Sequence, residues 1–136
     1  MPYLQLDIPR SYPTAVKRDL ADRLGKIYSE VMQTTAEKVV VAIRELGEGS
    51  MWRCGENISP ASVLKCDIRK GRPPEQRAKL AERLVEACAR LLDFPPDYLT
   101  VEFTQHSGDE FYRPTRGLVE DWSPAEAFNA GDISRR

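Results

Sequence analysis

The chain has 136 residues, 41% of them hydrophobic and 30% charged, an ordinary balance for one compact domain with a buried core. Its 20 Lys and Arg residues against 21 Asp and Glu provide no basic field for nucleic acid or for an anionic membrane surface. Because no apolar run approaches the roughly 20 residues of a membrane span and the amino terminus lacks a secretory signal pattern, we expect a cytoplasmic protein.

The first half of the chain predicts a strand, a helix and a second strand. Leu4, Leu6 and Ile8 alternate with polar residues, as in a half-buried strand. Pro13 stands where a helix can begin. The apolar residues after it recur at helical spacing, at Val16, Leu20, Leu24, Ile27 and Val31. A β-branched run over 39–43 closes the unit as a strand.

The second half repeats the first at an offset of 60 positions without a gap. KRDLADRL (17–24) falls on RAKLAERL (77–84), and the strand and helix patterns recur in the same phase. A strand, a crossover helix and a strand form a right-handed unit with parallel strands. We therefore predict an α/β (α+β) fold in which two tandem β-α-β units form a four-stranded sheet with two helices on one face.

We expect a single domain over residues 1–136, with repeat one at about 2–60, repeat two at about 62–113 and a C-terminal tail over 114–136. Glycines around Trp52 predict a turn or small hairpin between the halves. Ser123, Pro124 and Glu126 form a capping-box pattern that can start a short helix in the tail. The sheet face without helices is expected to carry apolar residues that oligomerisation would cover.

Proline directly after the initiator methionine, on the first strand of a duplicated β-α-β unit, resembles the tautomerase superfamily (tautomerase/MIF-like fold). The resemblance covers about residues 2–113. It is closest to the fused double-unit subgroup, which includes cis-3-chloroacrylic acid dehalogenase and malonate semialdehyde decarboxylase, and more distant from 4-oxalocrotonate tautomerase. It implies a homotrimer in which Pro2, freed by loss of Met1, is the catalytic group.

An amino-terminal proline suits acid–base chemistry. An ordinary α-amino group has a pKa near 7.7–8.0, and burial and nearby arginines disfavour its charged form. Pro2 would then be a neutral base near pH 7. Position 62, the repeat equivalent, is Ser62 inside the chain and has no free amine.

Arg69 and Arg72 in the stretch IRKGR (68–72) resemble the arginine pair of the dehalogenase subgroup. Guanidinium groups bind carboxylates bidentately, so the resemblance implies a substrate-binding role for both. Tyr28 corresponds, with a one-residue gap, to a histidine of the dehalogenase's first helix. Glu110 is a candidate for its water-activating glutamate, and Trp52 for an aromatic pocket wall. Tyr28, Glu110 and Trp52 are therefore candidate assisting residues.

The resemblance implies a cofactor-free tautomerase or isomerase of a small 2-oxo or unsaturated carboxylic acid, with Pro2 as general base and then acid. A hydratase, dehalogenase or decarboxylase of a three-carbon acid, with a cationic Pro2, is the alternative on the same site. Glu102 stands where the dehalogenase has a tyrosine, which weakens the dehalogenase alternative. A non-catalytic binding module with this fold is the alternative of another class, and retention of Met1 would favour it.

We expect a small-molecule carboxylate substrate, a homotrimer, and neither nucleic acid nor membrane as partner. No cofactor is implied. His106 is the only histidine and the sequence has no CxxC pair, so a metal site is not expected.

Overall fold

The computed structural model describes residues 2–128, and both halves of the chain form the predicted unit. The main elements of the first half are β1 (Tyr3–Ile8), α1 (Thr14–Met32) and β2 (Val40–Glu45). A short hairpin, β3 (Trp52–Arg53) and β4 (Ser59–Pro60), leads into the second half. The elements that follow are β5 (Ser62–Arg69), α2 (Pro74–Leu92), β6 (Leu99–His106), the hairpin β7 (Tyr112–Arg113) and β8 (Gly117–Leu118), and α3 (Pro124–Phe128).

The four long strands form one mixed sheet in the order β2-β1-β5-β6. β1 is parallel to β2 and β5 is parallel to β6, whereas β1 and β5 run antiparallel at the centre. Gln5 lies opposite Lys65, its own repeat equivalent. A pseudo-two-fold axis therefore passes between these two residues and relates the halves, so the fold predicted from the repeat is confirmed.

The core lies between the sheet and the two helices. Alternate residues of each strand face the helices, and the leucines that recur along α1 and α2 pack against them. The fully buried members include Leu4, Leu6, Leu20, Leu24, Leu64, Cys66, Ile68, Leu80, Leu84 and Cys88. Burial of each large apolar side chain contributes about 1.5–3 kcal/mol, which fixes the sheet under both helices.

Both long helices end in the same way. Gln33 and Asp93, repeat equivalents, each adopt the left-handed conformation with φ of 55°, and their N–H groups donate to the carbonyls of Ser29 and Ala89. Such a cap leaves the carbonyls of the last helical turn for other donors. Met32 O and Leu92 O are two of these carbonyls, and each accepts a side-chain donor at one end of the sheet.

The sheet face without helices is mostly polar, but it also carries apolar residues, as expected, including the exposed Val40. Alternation and register place Gln5, Asp7, Lys65, Glu102 and Arg44 on this face. Arg44 donates to both carboxylate oxygens of Asp7, with N–O distances of 2.6 and 2.8 Å. This hydrogen bonding, more than the attraction of the charges, lowers the pKa of Asp7.

The second strand also differs slightly from the prediction. It runs over Val40–Glu45 instead of 39–43, because its pairing with β1 continues to Ile8 and Glu45. Among residues 2–128, no helix is long and apolar enough to cross a bilayer.

Candidate active site

A cavity of about 420 Å³ opens at the edge of the sheet where β1 begins and β5 ends. Because β1 and β5 are antiparallel, the first residue of one lies beside the last residue of the other. Pro2, which is buried, and Arg69 therefore line the same cavity, together with Tyr28 and Arg72. The structure brings together four of the six residues that the sequence singled out.

Arg69 is held by the segment that follows the second repeat. Its Nη1 donates to the carbonyl of Glu120 at 2.8 Å, and its Nη2 donates to both carboxylate oxygens of Glu126 at 2.8 and 3.1 Å. The two side chains are only 13% and 22% exposed. An arginine at the mouth of this cavity is therefore already bound to a carboxylate, which shows that its position suits that ligand.

Arg72 is buried more deeply, with 4% of its surface exposed. Its Nε and Nη2 donate to Met32 O at 3.1 and 3.0 Å, and its guanidinium lies over the rings of Tyr28 and Trp122. Burial lowers the pKa of Arg72. Two of its three nitrogens thus donate to the end of α1, which leaves Nη1 for a ligand.

Tyr28 reaches the cavity from α1, about one turn before the helix ends at Met32. It is 1% exposed, and burial raises the pKa of its hydroxyl to about 12. Tyr28 is therefore a neutral phenol throughout the physiological range. It can donate a hydrogen bond in the site, but it cannot act as a base there.

The cavity is also lined by three cations that the sequence analysis did not identify, namely Lys38, Arg113 and Arg116. Burial, then repulsion from Arg116 and Arg113, lowers the pKa of Lys38. The position of Lys38 in the sequence could have identified it. It stands just before β2, and β2 is parallel to β1, so it had to lie at the same sheet edge as Pro2. Arg113 and Arg116 belong to the second hairpin, whose packing no repeat pattern predicts.

Residues 119–126, which we call the strap, form one wall of the cavity. Trp122 N donates to Lys70 O at 2.8 Å, and Gly108 N donates to the Asp121 carboxylate at 2.6 Å. A Cβ on Gly71 would lie 1.9 Å from Trp122 O, and one on Gly108 would lie 1.9 Å from the carbonyl carbon of Glu120. The strap therefore packs against Gly71 and Gly108, where a larger residue would clash, and it places the Glu126 side chain beside Arg69.

Comparison with solved structures identifies the fold of this chain. No family model and no curated protein matches the sequence. Among solved structures, a member of the cis-3-chloroacrylic acid dehalogenase family matches with a TM-score of 0.78 at 18% identity, over 96% of this chain and 99% of that one. A fused 4-OT symmetric trimer matches with a TM-score of 0.76 at 19% identity, over 95% and 98%. The chain has the fold of the tautomerase superfamily.

A third structure with the tautomerase fold is a malonate semialdehyde decarboxylase inhibited by 3-bromopropiolate. It matches with a TM-score of 0.68 at 12% identity, over 80% of this chain and 86% of that one. These identities establish the tautomerase fold and leave the reaction to be argued from the site.

Two predicted assisting residues lie outside this cavity of the tautomerase fold. Glu110 is exposed and bonds to Ser107 and His106 beyond the end of β6, and the hydrogen bond from Ser107 is the main cause that lowers its pKa. Trp52 belongs to the first hairpin, is 54% exposed, and lines a different cavity. Both predictions came from the family resemblance, whereas the carboxylate beside Arg69 in this cavity belongs to Glu126 of the strap.

Five cations and three carboxylates line the cavity among the described residues, so its lining is net positive. The carboxylates belong to Glu120, Asp121 and Glu126. Within residues 2–128, no three His, Cys, Asp or Glu side chains converge as a metal site would require. The site offers a buried proline at position 2, a neutral phenol and an excess of cations.

Proposed function

We propose that this protein is a cofactor-free tautomerase or isomerase of a small 2-oxo or unsaturated carboxylic acid. Pro2, freed by removal of Met1, would act as general base and then as general acid. One observation carries the proposal, namely that Pro2 is buried in a cavity lined by an excess of cations. The tautomerase fold adds to it, since the matching structures include enzymes.

The proposed reaction moves one proton. The neutral nitrogen of Pro2 takes a proton from the carbon beside the carbonyl group. The electrons of that C–H bond form a carbon–carbon double bond, and the π electrons of the carbonyl group move onto its oxygen to give the enolate. The protonated Pro2 then returns the proton to oxygen or to another carbon of the conjugated system. Positioned acid–base catalysis of this kind contributes about 100-fold to 10,000-fold in rate.

The charges around Pro2 support the neutral form of the amine. Removal from water disfavours a protonated amine, and so does the net positive lining. The same cations would stabilise the enolate once it forms, because they act in a partly enclosed site. Lys38 and Arg116 are placed for this role, since both line the cavity with Pro2.

Arg69 is the proposed anchor for the substrate carboxylate. It now binds the Glu126 carboxylate through Nη2, so an incoming carboxylate would take the place of Glu126. Arg72 is the proposed second contact, through the one nitrogen that Met32 O does not occupy. Tyr28 would assist as a hydrogen-bond donor.

We also propose a homotrimer, in which one chain forms a single domain over residues 1–136 with repeats at about 2–60 and 62–113. The fused 4-OT that matches this fold is a symmetric trimer. Exposed apolar side chains on the edge strand and the two hairpins support an assembly: Val40, Ile58, Tyr112 and Leu118. Sedimentation velocity of the purified chain tests the stoichiometry.

A second candidate is hydration, dehalogenation or decarboxylation of a three-carbon acid on the same site. The Glu126 carboxylate favours it, because a carboxylate inside the cavity can activate water. This candidate requires a protonated Pro2. The two candidates therefore predict opposite limbs of the pH–rate profile, with activity rising as Pro2 loses its proton in the first and falling in the second.

The test is the intact mass of the purified protein before and after treatment with 3-bromopropiolate. We expect a starting mass without Met1 and one adduct, mapped to the peptide that begins at Pro2. The Pro2→Ala variant, with its primary amine, should lose turnover of phenylpyruvate. Retained Met1, or a processed chain that gives no adduct at Pro2, would instead favour a binding module with this fold.

A further inference from the structure

A second cavity, of about 660 Å³, lies at the opposite edge of the sheet, where β1 ends and β5 begins. The pseudo-two-fold axis relates it to the first cavity. Five of its lining residues are repeat equivalents of residues in the first: Ser62 for Pro2, Pro9 for Arg69, Tyr12 for Arg72, Phe94 for Thr34 and Tyr98 for Lys38. The fold thus builds the same recess twice.

The hydrogen bond that joins the cavity wall to the end of a helix is also present in both cavities. The hydroxyl of Tyr12 donates to Leu92 O at 2.9 Å, as the guanidinium of Arg72 donates to Met32 O. Leu92 and Met32 are the last residues of α2 and α1. The wall of each recess is therefore fixed to the same point of the equivalent helix.

The chemistry is changed at each equivalent position. Proline and tyrosine replace Arg69 and Arg72, and tyrosine replaces Lys38. Among the described lining residues, Arg10 is the one cation. Its Nη1 donates to the Asp93 carbonyl at 3.0 Å, and it lies over the Tyr12 ring. No free amine exists at Ser62, so neither the carboxylate anchor nor the catalytic group of the first cavity is present.

The second cavity instead presents flat apolar surfaces. Four aromatic side chains line it, from Tyr12, Trp52, Phe94 and Tyr98, and Pro9, Pro60 and Pro95 lie among them. Trp52 is positioned by a hydrogen bond from its Nε1 to the Gly49 carbonyl at 2.9 Å. Aromatic faces prefer offset or edge contacts with other rings, and cavities of roughly 300–1,000 Å³ hold molecules of drug size.

We propose that the second cavity is a separate binding site for a neutral, planar aromatic molecule of two or three rings. Its size and aromatic lining select the rings, and the loss of the cationic equivalents disfavours a carboxylate. The site is independent of the proposed reaction, since no residue of the first cavity takes part in it.

The probe for the test is N-phenyl-1-naphthylamine, a neutral aromatic dye whose fluorescence rises in apolar sites, titrated into the full chain. Trp52→Ala removes an exposed ring and should spare the fold. Tyr112→Ala is the matched control, because Tyr112 is the repeat equivalent on the second hairpin and lies outside the second cavity. We expect Trp52→Ala to raise the Kd for the dye about fivefold to tenfold, and Tyr112→Ala to leave it unchanged.

A second measurement locates the dye. Protein whose Pro2 carries the 3-bromopropiolate adduct should bind the dye with an unchanged Kd, whereas Tyr98→Lys should weaken binding. The proposal is overturned if the dye fails to bind, if the Pro2 adduct abolishes binding, or if the Trp52 and Tyr112 variants weaken it equally. It is also overturned if the dye binds only to dissociated subunits, since a second copy of the chain would then cover the cavity.

Discussion

Replacement of Glu126 by glutamine distinguishes two roles of the Arg69–Glu126 pair, namely competition with the substrate carboxylate and a purely structural contact. Nη2 of Arg69 bonds to both oxygens of the carboxylate, and the side chains are 13% and 22% exposed. Under the proposed function, Glu126 is an internal competitor for the substrate carboxylate. Glu126→Gln removes the competing charge while keeping the size of the side chain.

The size of the effect follows from the geometry. Exposed ion pairs contribute roughly 0–1 kcal/mol, whereas hydrogen bonds to charged groups contribute about 1.5–3 kcal/mol. The pair is mostly buried and bonds through two oxygens, so we place the competition at about 1–2 kcal/mol, a factor of about 5 to 30. Glu126→Gln should therefore lower KM for a 2-oxo acid at least fivefold and leave kcat within about twofold.

The assay is steady-state turnover of phenylpyruvate, with thermal melting in parallel. Glu120→Gln is the matched control. Glu120 also touches Arg69, but through its main-chain carbonyl, which the substitution leaves in place. A fall in kcat with a rise in KM in Glu126→Gln would refute the reasoning, because Glu126 would then serve the reaction. An unchanged KM with a lowered Tm would leave the pair a purely structural contact.

The remaining predictions concern the sheet, the strap and the phenol. Arg44→Ala should lower the urea midpoint slightly at pH 7, and the effect should shrink as the pH falls through the acid range. The reason is that Arg44 lowers the pKa of Asp7 below its ordinary 3.8. The stabilisation that this ion pair gives the folded state is therefore present above pH 3.8, and it is lost as the pH falls through the lowered pKa. Gly71→Ala should lower Tm and raise KM more than Gly117→Ala, since both have positive φ but only the Cβ at 71 would meet the strap. Tyr28→Phe should lower kcat without moving the acidic limb of the pH–rate profile, because the Tyr28 hydroxyl titrates at about 12.

The repeat and the alternation of each strand were enough to predict the sheet. Leu4 and Leu64 share a phase, and that phase decides which face the helices cover. The same alternation placed Asp7 on the other face, where it now pairs with Arg44. The apolar residues expected on that face are present, for example Val40 and Val63, but polar residues outnumber them.

The site was predictable only where secondary structure alone positions it. Pro2 and Arg69 meet because one strand begins where its antiparallel neighbour ends. Glu126 reaches Arg69 through a strap seated on Gly71 and Gly108, and neither glycine signals its partner in the sequence. Glu110 lies closer to Arg69 in the chain, but a short turn directs it to Ser107 and His106.

The antiparallel junction at Gln5 and Lys65 makes one chain the covalent equivalent of a two-fold dimer. Within residues 2–128 the halves meet through the central strands, helix packing and hydrogen bonds such as those at Met32 O and Leu92 O, and none of these contacts needs a peptide bond between the halves. Cutting the chain in the loop before β5 should thus yield two fragments that reassemble on mixing. If the second fragment were made to begin with proline in place of Ser62, the reassembled protein would carry a secondary amine at both ends of its sheet, one beside cations and the other among aromatic rings.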